Sequence, residues 1–254
     1  MRLYRFKQGK KAVYGVLREE RLQVVSGSIF RSIRETGESI PIGDVRLLPP
    51  VVPSKIVAVG RNYKDHAAEM GNPLPVEPLL FMKPPSAVIG PEDVIVYPGM
   101  AKRVDFEGEL AVVIRKTTAG LKDDDPVEDN ILGYTICNDV TARDLQKKDG
   151  QFTRAKGFDT FAPLGPCIST DIDPGRLHLK SFLNGKLRQS AGTKNLIFSI
   201  PFLVRFISRI MTLVPGDVIS TGTPAGVGPM SPGDRIDIQI EGIGVLSNRL
   251  MKVR

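Results

Sequence analysis

The segment Val104-Asp105-Phe106-Glu107-Gly108-Glu109-Leu110-Ala111-Val112-Val113-Ile114 constrains this chain more than any other. Acids stand at 105, 107 and 109, followed at once by an unbroken apolar run. On a strand, alternate residues point to one face. The three carboxylates would then share a face, spaced roughly 7 Å apart along the backbone. Like charges so close repel unless a positive group lies between them, and oxygen-only donors favour a hard divalent cation. Alone, the alternation fits a solvated sheet edge equally well. The run 110–114 argues instead for a strand entering a core. Asp139 ends a second β-like run, Gly133-Tyr134-Thr135-Ile136-Cys137-Asn138-Asp139. Two carboxylates from one strand and one from another can hold a metal with positions left open for water or substrate.

The 254 residues suffice for one large domain, or a main domain with a small one. A hydrophobic fraction of 41% supports a sizeable core. No apolar run reaches the roughly 20 residues of a membrane span, and the N-terminal residues lack a signal-peptide pattern, so the expected location is cytoplasmic with no membrane partner. Cys137 and Cys167 have neither disulfide-framework nor zinc-ribbon spacing. The net charge of +7 raises the question of nucleic acid. The basic residues are dispersed, however, and no nucleic-acid-binding motif accompanies them, so attraction of a small anionic substrate is the expected use of the surplus.

Residues 1–50 read as a small β-rich unit, with strands at 11–17 and 21–25 and a short helical stretch at 29–34 ended by Gly37. Pro49, Pro50 and Pro53 form a linker, and residues 53–254 form the main domain. Residues 55–60 read as a buried strand. Pro215-Gly216-Asp217 and Pro232-Gly233-Asp234 read as tight turns, each leading into a strand. Two helices are expected. One spans 62–70. The other spans 201–213, with Phe202, Leu203, Phe206, Ile207 and Ile210 on one face and Arg205 and Arg209 turned away. The fold class is α+β, predominantly β.

His66 and Glu69 lie at i, i+3 on the first helix, where a carboxylate can raise the basicity of an imidazole and make it a general base for water. An ordinary surface pair has the same spacing. His178 reads as structural. Arg143 and Gln146 also share a face at i, i+3; they can grip a carboxylate, or merely begin a solvated helix. Lys156 is a candidate electrophilic ammonium or a plain loop lysine, and Lys83 is a similar case. In Ser220-Thr221-Gly222-Thr223-Pro224-Ala225-Gly226-Val227-Gly228, backbone amides and the Thr223 hydroxyl could hold a substrate carboxylate; the glycines could equally serve only the turn. That loop matches neither nucleotide-binding glycine motif, and no nucleophile elbow is present.

Over residues 53–254, through GRNYKDHAAEM, FMKPPSA, VDFEGELAVVI, GYTICNDVTARDLQ, KGFDTFAPLGP and STGTPAGVG in that order, the chain resembles the fumarylacetoacetate hydrolase family. The resemblance implies that family's mixed β-sandwich roll behind a small N-terminal domain, usually as a homodimer. It implies Mg²⁺ or Mn²⁺, with Ca²⁺ as a substitute, on Glu107, Glu109 and Asp139; Asp105 is a less certain ligand. It implies His66 and Glu69 as a water-activating dyad, Lys156 as a catalytic charge stabiliser, and Arg61, Lys83, Arg143, Gln146 and Thr223 as substrate contacts. The expected reaction is metal-dependent hydrolysis of a carbon–carbon bond in a β-diketo acid of the acylpyruvate type. Isomerisation of 2-hydroxyhepta-2,4-diene-1,7-dioate, tautomerisation, or oxaloacetate decarboxylation would use the same metal site. A metal-stabilised binding protein without turnover is the remote alternative.

Overall fold

Glycine and proline punctuate this sequence every few residues, and between them lie short runs of β-branched and aromatic residues; such a chain builds strands joined by turns. The computed structural model, which describes residues 1–65 and 74–252, is accordingly mostly strand. Five strands come from the first fifty residues: β1 (Arg2–Gln8), β2 (Lys11–Arg18), β3 (Arg21–Gly27), β4 (Ile33–Pro41) and β5 (Arg46–Leu47). Then follow β6 (Ile56–Gly60), β7 (Leu79–Lys83), β8 (Val88–Ile89), β9 (Val94–Val96), β10 (Val104–Phe106), β11 (Gly108–Ile114), β12 (Ile131–Asn138) and β13 (Thr141–Ala142). The C-terminal part adds β14 (Ala162–Ser169), β15 (His178–Leu183), β16 (Lys186–Gly192), β17 (Val218–Ser220), β18 (Gly228–Met230), β19 (Arg235–Ile240) and β20 (Gly244–Met251).

The main sheet runs β4-β3-β2-β1-β14-β12-β11-β17-β6-β7 among the described residues. The N-terminal hairpins enter it through β1, which pairs antiparallel with β14 at Arg2↔Ser169 and Leu3↔Ile168. A second sheet, β16-β15-β19-β20-β9, packs against it, and a small third sheet is ordered β13-β10-β18. Strands β11, β12 and β14 form the centre; β11 is buried at every position and β12 at all but its first two. Apolar residues there face packed layers on both sides, which explains the continuous rather than alternating hydrophobic runs. No helix among the described residues is long and apolar enough to cross a membrane.

The two Pro-Gly-Asp turns are where the sequence placed them, with Gly216 at φ +90° and Gly233 at φ +100°, leading into β17 and β19. Three expectations need correction. Residues 29–34 are not helical. Ile33 begins β4, and Gly37 (φ +87°) sits in a bulge between the pairs Val25↔Glu35 and Gln23↔Ser39. Pairing with β3 overrides the weak local signal, and the glycine read as a helix stop supplies the left-handed bulge residue.

The second helix spans Ile200–Ile210, with Ser199 Oγ accepting from the Phe202 amide and Pro201 in its first turn. Its buried stripe is Ile200, Leu203, Val204 and Ile207, whereas Phe202 and Ile210 are exposed. Phe202 stacks between Phe198 and Phe206 along the helix flank, with centroids 5.6 and 5.9 Å apart. The i, i+4 row through 202, 206 and 210 lies about 100° around the helix from the true core row, so both rows look amphipathic in sequence. Arg205 and Arg209 do point away from the core, donating to the backbone carbonyls of Asp125 and Leu121.

The third correction concerns the acidic strand. It breaks at Glu107, which separates β10 in the small sheet from β11 in the main one. Asp105 therefore does not share a face with Glu109.

Candidate active site

Glu107 occupies that break. Its backbone amide donates to Asn138 Oδ1 at 3.0 Å, and its carbonyl accepts from the Asp139 amide at 2.9 Å. These two bonds tie the end of β12 to the start of β11 and bring Asp139 beside Glu107 and Glu109. All three acids are buried, and one carboxylate oxygen from each lies within 4.8 Å of the others. Oxygens grouped this closely need only small side-chain adjustments to converge on one hard cation.

The charges around the triad are uneven. Lys156, at the end of the helix Thr153–Lys156, donates to Glu107 Oε2 at 2.8 Å and also to Asp139. Lys83, at the end of β7, donates to Asp139 Oδ1 at 2.5 Å and to the Val140 carbonyl at 3.1 Å. Arg143 donates to Glu107. Glu109 has no cation partner among the described residues. Among them, only Ser220 Oγ (2.6 Å) and the Gly222 amide (2.8 Å) reach it, both on Oε2. Burial, then repulsion from Asp139 and Glu107, pushes its carboxyl up to about 8 despite those donors. A buried carboxylate with one oxygen held and the other uncommitted, among hard donors only, fits a divalent cation. Burial pulls the Lys83 ammonium down; in Lys156 it is outweighed by Asp139 and Glu107, which hold that ammonium above its ordinary range.

The cavity beside the triad has a volume of about 290 Å³. Arg61, Arg143, Gln146, Lys156 and Thr223 line it with the three acids, and Leu79, Phe81 and Phe152 form an apolar wall. Phe81 and Phe152 meet edge to face with centroids 5.3 Å apart, and the Lys156 ammonium lies 4.9 Å from the Phe81 centroid. Arg61, which lines the cavity, takes φ +59° immediately after β6.

Arg143 is held on three sides: Nε donates to Asp105 Oδ2 (3.0 Å), Nη1 to Gln146 Oε1 (2.6 Å), and Nη2 to Glu107. Asp105 also accepts two bonds from Arg103, at 2.8 and 3.0 Å. It is thus an anchor for arginine, apart from the acidic triad. Lys83 is fully buried behind Asp139 and is not part of the cavity lining. His66 and Glu69 lie outside the described residues; the chain leading to them is placed by Tyr63, which bridges to Leu196. His178 is exposed on β15 and contacts Ser190 Oγ at 2.9 Å. Cys137 and Cys167 are both free and buried. Burial pushes the Cys137 thiol up to about 12, which favours its neutral form.

Sequence reasoning missed the holders: Asn138 on the Glu107 amide, Ser220 and the Gly222 amide on Glu109, and the aromatic wall. Ser220 and Gly222 stand inside the glycine-rich segment already singled out, so a signal existed. Nothing local marked Phe81 or Phe152, which meet only through the fold.

A family profile described as fumarylacetoacetate (FAA) hydrolase C-terminal matches residues 55–251, and one described as Rv2993c-like, N-terminal matches residues 1–50. Oxaloacetate tautomerase YisK of Bacillus subtilis is 44% identical over 224 residues, covering 82% of this chain and 74% of that protein. The crystal structure of 2-hydroxyhepta-2,4-diene-1,7-dioate isomerase from Mycobacterium marinum superposes with a TM-score of 0.92 at 44% identity, covering 99% of this chain and 98% of that one. Maleylpyruvate hydrolase from Sphingobium sp. SYK-6, in complex with manganese(II) and pyruvate, superposes with a TM-score of 0.82 at 33% identity, over 100% of both chains.

Proposed function

Since this chain belongs to the fumarylacetoacetate hydrolase family, we propose that it is a divalent-metal-dependent enzyme acting on a small 2-oxo acid. The observation that carries the reading is the buried triad Glu107, Glu109 and Asp139, with Glu109 lacking a cation of its own among the described residues. A magnesium or manganese ion held there would polarise the oxo group of a chelating 2-oxo acid. Arg143, fixed by Asp105 and Gln146, presents a pre-oriented guanidinium to a bound carboxylate. The Lys156 ammonium opposes negative charge developing on the oxo oxygen as the neighbouring carbon loses a proton or a carbon–carbon bond, and its fixed position supplies that stabilisation without reorganisation. The apolar wall of Leu79, Phe81 and Phe152 excludes water from one side of the substrate.

With His66 and Glu69 activating water, this site hydrolyses an acylpyruvate. A second reading is tautomerisation or isomerisation, favoured by the 44% identity to an oxaloacetate tautomerase and to a dienedioate isomerase, against 33% to a hydrolase. Both begin from the same polarised 2-oxo acid. The test is a panel of acetylpyruvate, fumarylpyruvate, oxaloacetate and 2-hydroxyhepta-2,4-diene-1,7-dioate, assayed after EDTA treatment and again after Mg²⁺ or Mn²⁺ addition. The enzymatic reading fails if metal restores no turnover of any of them; wild-type acetylpyruvate cleavage by His66→Ala would remove the dyad from the mechanism. The same proposal includes a small N-terminal domain ending near residue 50 and a homodimer, which sedimentation of the full chain tests.

A further inference from the structure

Gly108 lies between two of the acids, and side chains satisfy both of its backbone polar groups. Its amide donates to Gln189 Oε1 at 3.0 Å, and its carbonyl accepts from Thr223 Oγ1 at 2.8 Å. Gln189, on β16, is itself fully committed. Its Oε1 also accepts from Ser181 Oγ at 2.7 Å, while Nε2 donates to Thr223 Oγ1 at 2.7 Å and to the Pro224 carbonyl at 2.8 Å. Those partners leave no ambiguity about which end of the amide is which: an N–H of Gly108 requires an oxygen opposite it, and a carbonyl of Pro224 requires a nitrogen.

The polarity of Thr223 follows. Its oxygen must accept from Gln189. Its single hydrogen goes to the Gly108 carbonyl, a buried group that would otherwise lie without a donor. One lone pair remains, and Thr223 lines the cavity. We infer that the Thr223 hydroxyl offers the ligand an acceptor only. It selects a donor there, the hydroxyl of an enol, a hydrate or a 2-hydroxy acid, or a water, and of the two uses the sequence left open for this loop it removes the hydroxyl as a donor to a substrate carboxylate. Gln189 is the positioning residue that enforces this. The inference rests on the 2-oxo acid reading above and assigns one contact within it.

The test compares pyruvate, which carries only acceptors at neutral pH, with D- and L-lactate, in which a hydroxyl replaces the oxo group. Binding to the Mn²⁺-loaded full chain is measured by calorimetry for wild type, Thr223→Ser, Thr223→Val and Thr223→Ala. Removing the hydroxyl should weaken the better-bound lactate about 5- to 10-fold, as expected for loss of one hydrogen bond, and leave pyruvate unchanged or tighter. Thr223→Ser should match wild type for all three ligands. The alanine variant carries the expectation if the valine variant does not fold, and the ratio of the two ligands is insensitive to a general loss of stability. Equal weakening of pyruvate and lactate, or no change in either, overturns the assignment of Thr223. Wild-type protein that binds none of these ligands with Mn²⁺ present overturns the 2-oxo acid reading itself.

Discussion

Replacing Glu109 by glutamine should make the metal-free protein more stable at alkaline pH and remove its response to metal. In the unfolded chain this carboxyl loses its proton near 4.5, whereas in the folded protein it keeps it up to about 8. Between those values the folded state binds the extra proton, so unfolding free energy falls as pH rises and levels off above about 8. Moving a carboxyl from 4.5 to about 8 corresponds to roughly 5 kcal/mol, at about 1.4 kcal/mol per pH unit. Relaxation of neighbouring cations toward Glu109 offsets part of this, and we expect about 2–3 kcal/mol between pH 5 and pH 9. A glutamine keeps the acceptor oxygen for Ser220 and Gly222 and turns its amide nitrogen toward the other acids. Urea unfolding of EDTA-treated wild type and Glu109→Gln across that range measures the difference directly. Wild type should lose ground steadily to the variant and regain it on adding Mn²⁺; an ion at a hundred times its dissociation constant contributes about 2.7 kcal/mol. The reasoning is refuted if the gap between the two proteins does not change with pH, or if both respond equally to Mn²⁺.

Asp105→Asn removes the charge that anchors Arg143 and Arg103. Anionic ligand affinity should fall about 10-fold, by calorimetry, while Mn²⁺ affinity changes little, since Asp105 lies outside the triad. Gly108→Ala would place a methyl 2.5 Å from Ser181 Oγ and 3.1 Å from Gln189 Oε1. It should cost about 1–3 kcal/mol in a denaturant melt; a neutral result would mean the Gln189 network gives way easily. Leu203→Ala, in the core row of the helix Ile200–Ile210, should cost about 2–5 kcal/mol. Phe202→Ala, on the exposed flank, should cost distinctly less, and equal losses in thermal melts would contradict the helix orientation described here.

Several strands and the acidic cluster were readable in the sequence itself. Continuous apolar runs marked β6, β11 and β12, because a strand buried on both faces has no polar side to show. Pro-Gly-Asp marked turns because only certain residues tolerate their backbone angles. Acid type and strand position marked Glu107, Glu109 and Asp139, because a hard cation needs oxygen donors from neighbouring strands. Other assignments depended on partners far away in the chain. Asp105 carries the same charge and alternation as Glu107, yet a break in the strand and the approach of Arg103 and Arg143 make it an anchor. Lys83 and Lys156 look alike in sequence; packing buries the first behind Asp139 and leaves the second at the cavity. Gly37 became a bulge because β3 was there to pair with. Thr223 kept its place at the site, but which way its hydrogen points was decided by Gln189, from another sheet. Local pattern encodes which residues can make an interaction; tertiary structure decides which of them meet, because burial and hydrogen-bond partners belong to the assembled fold.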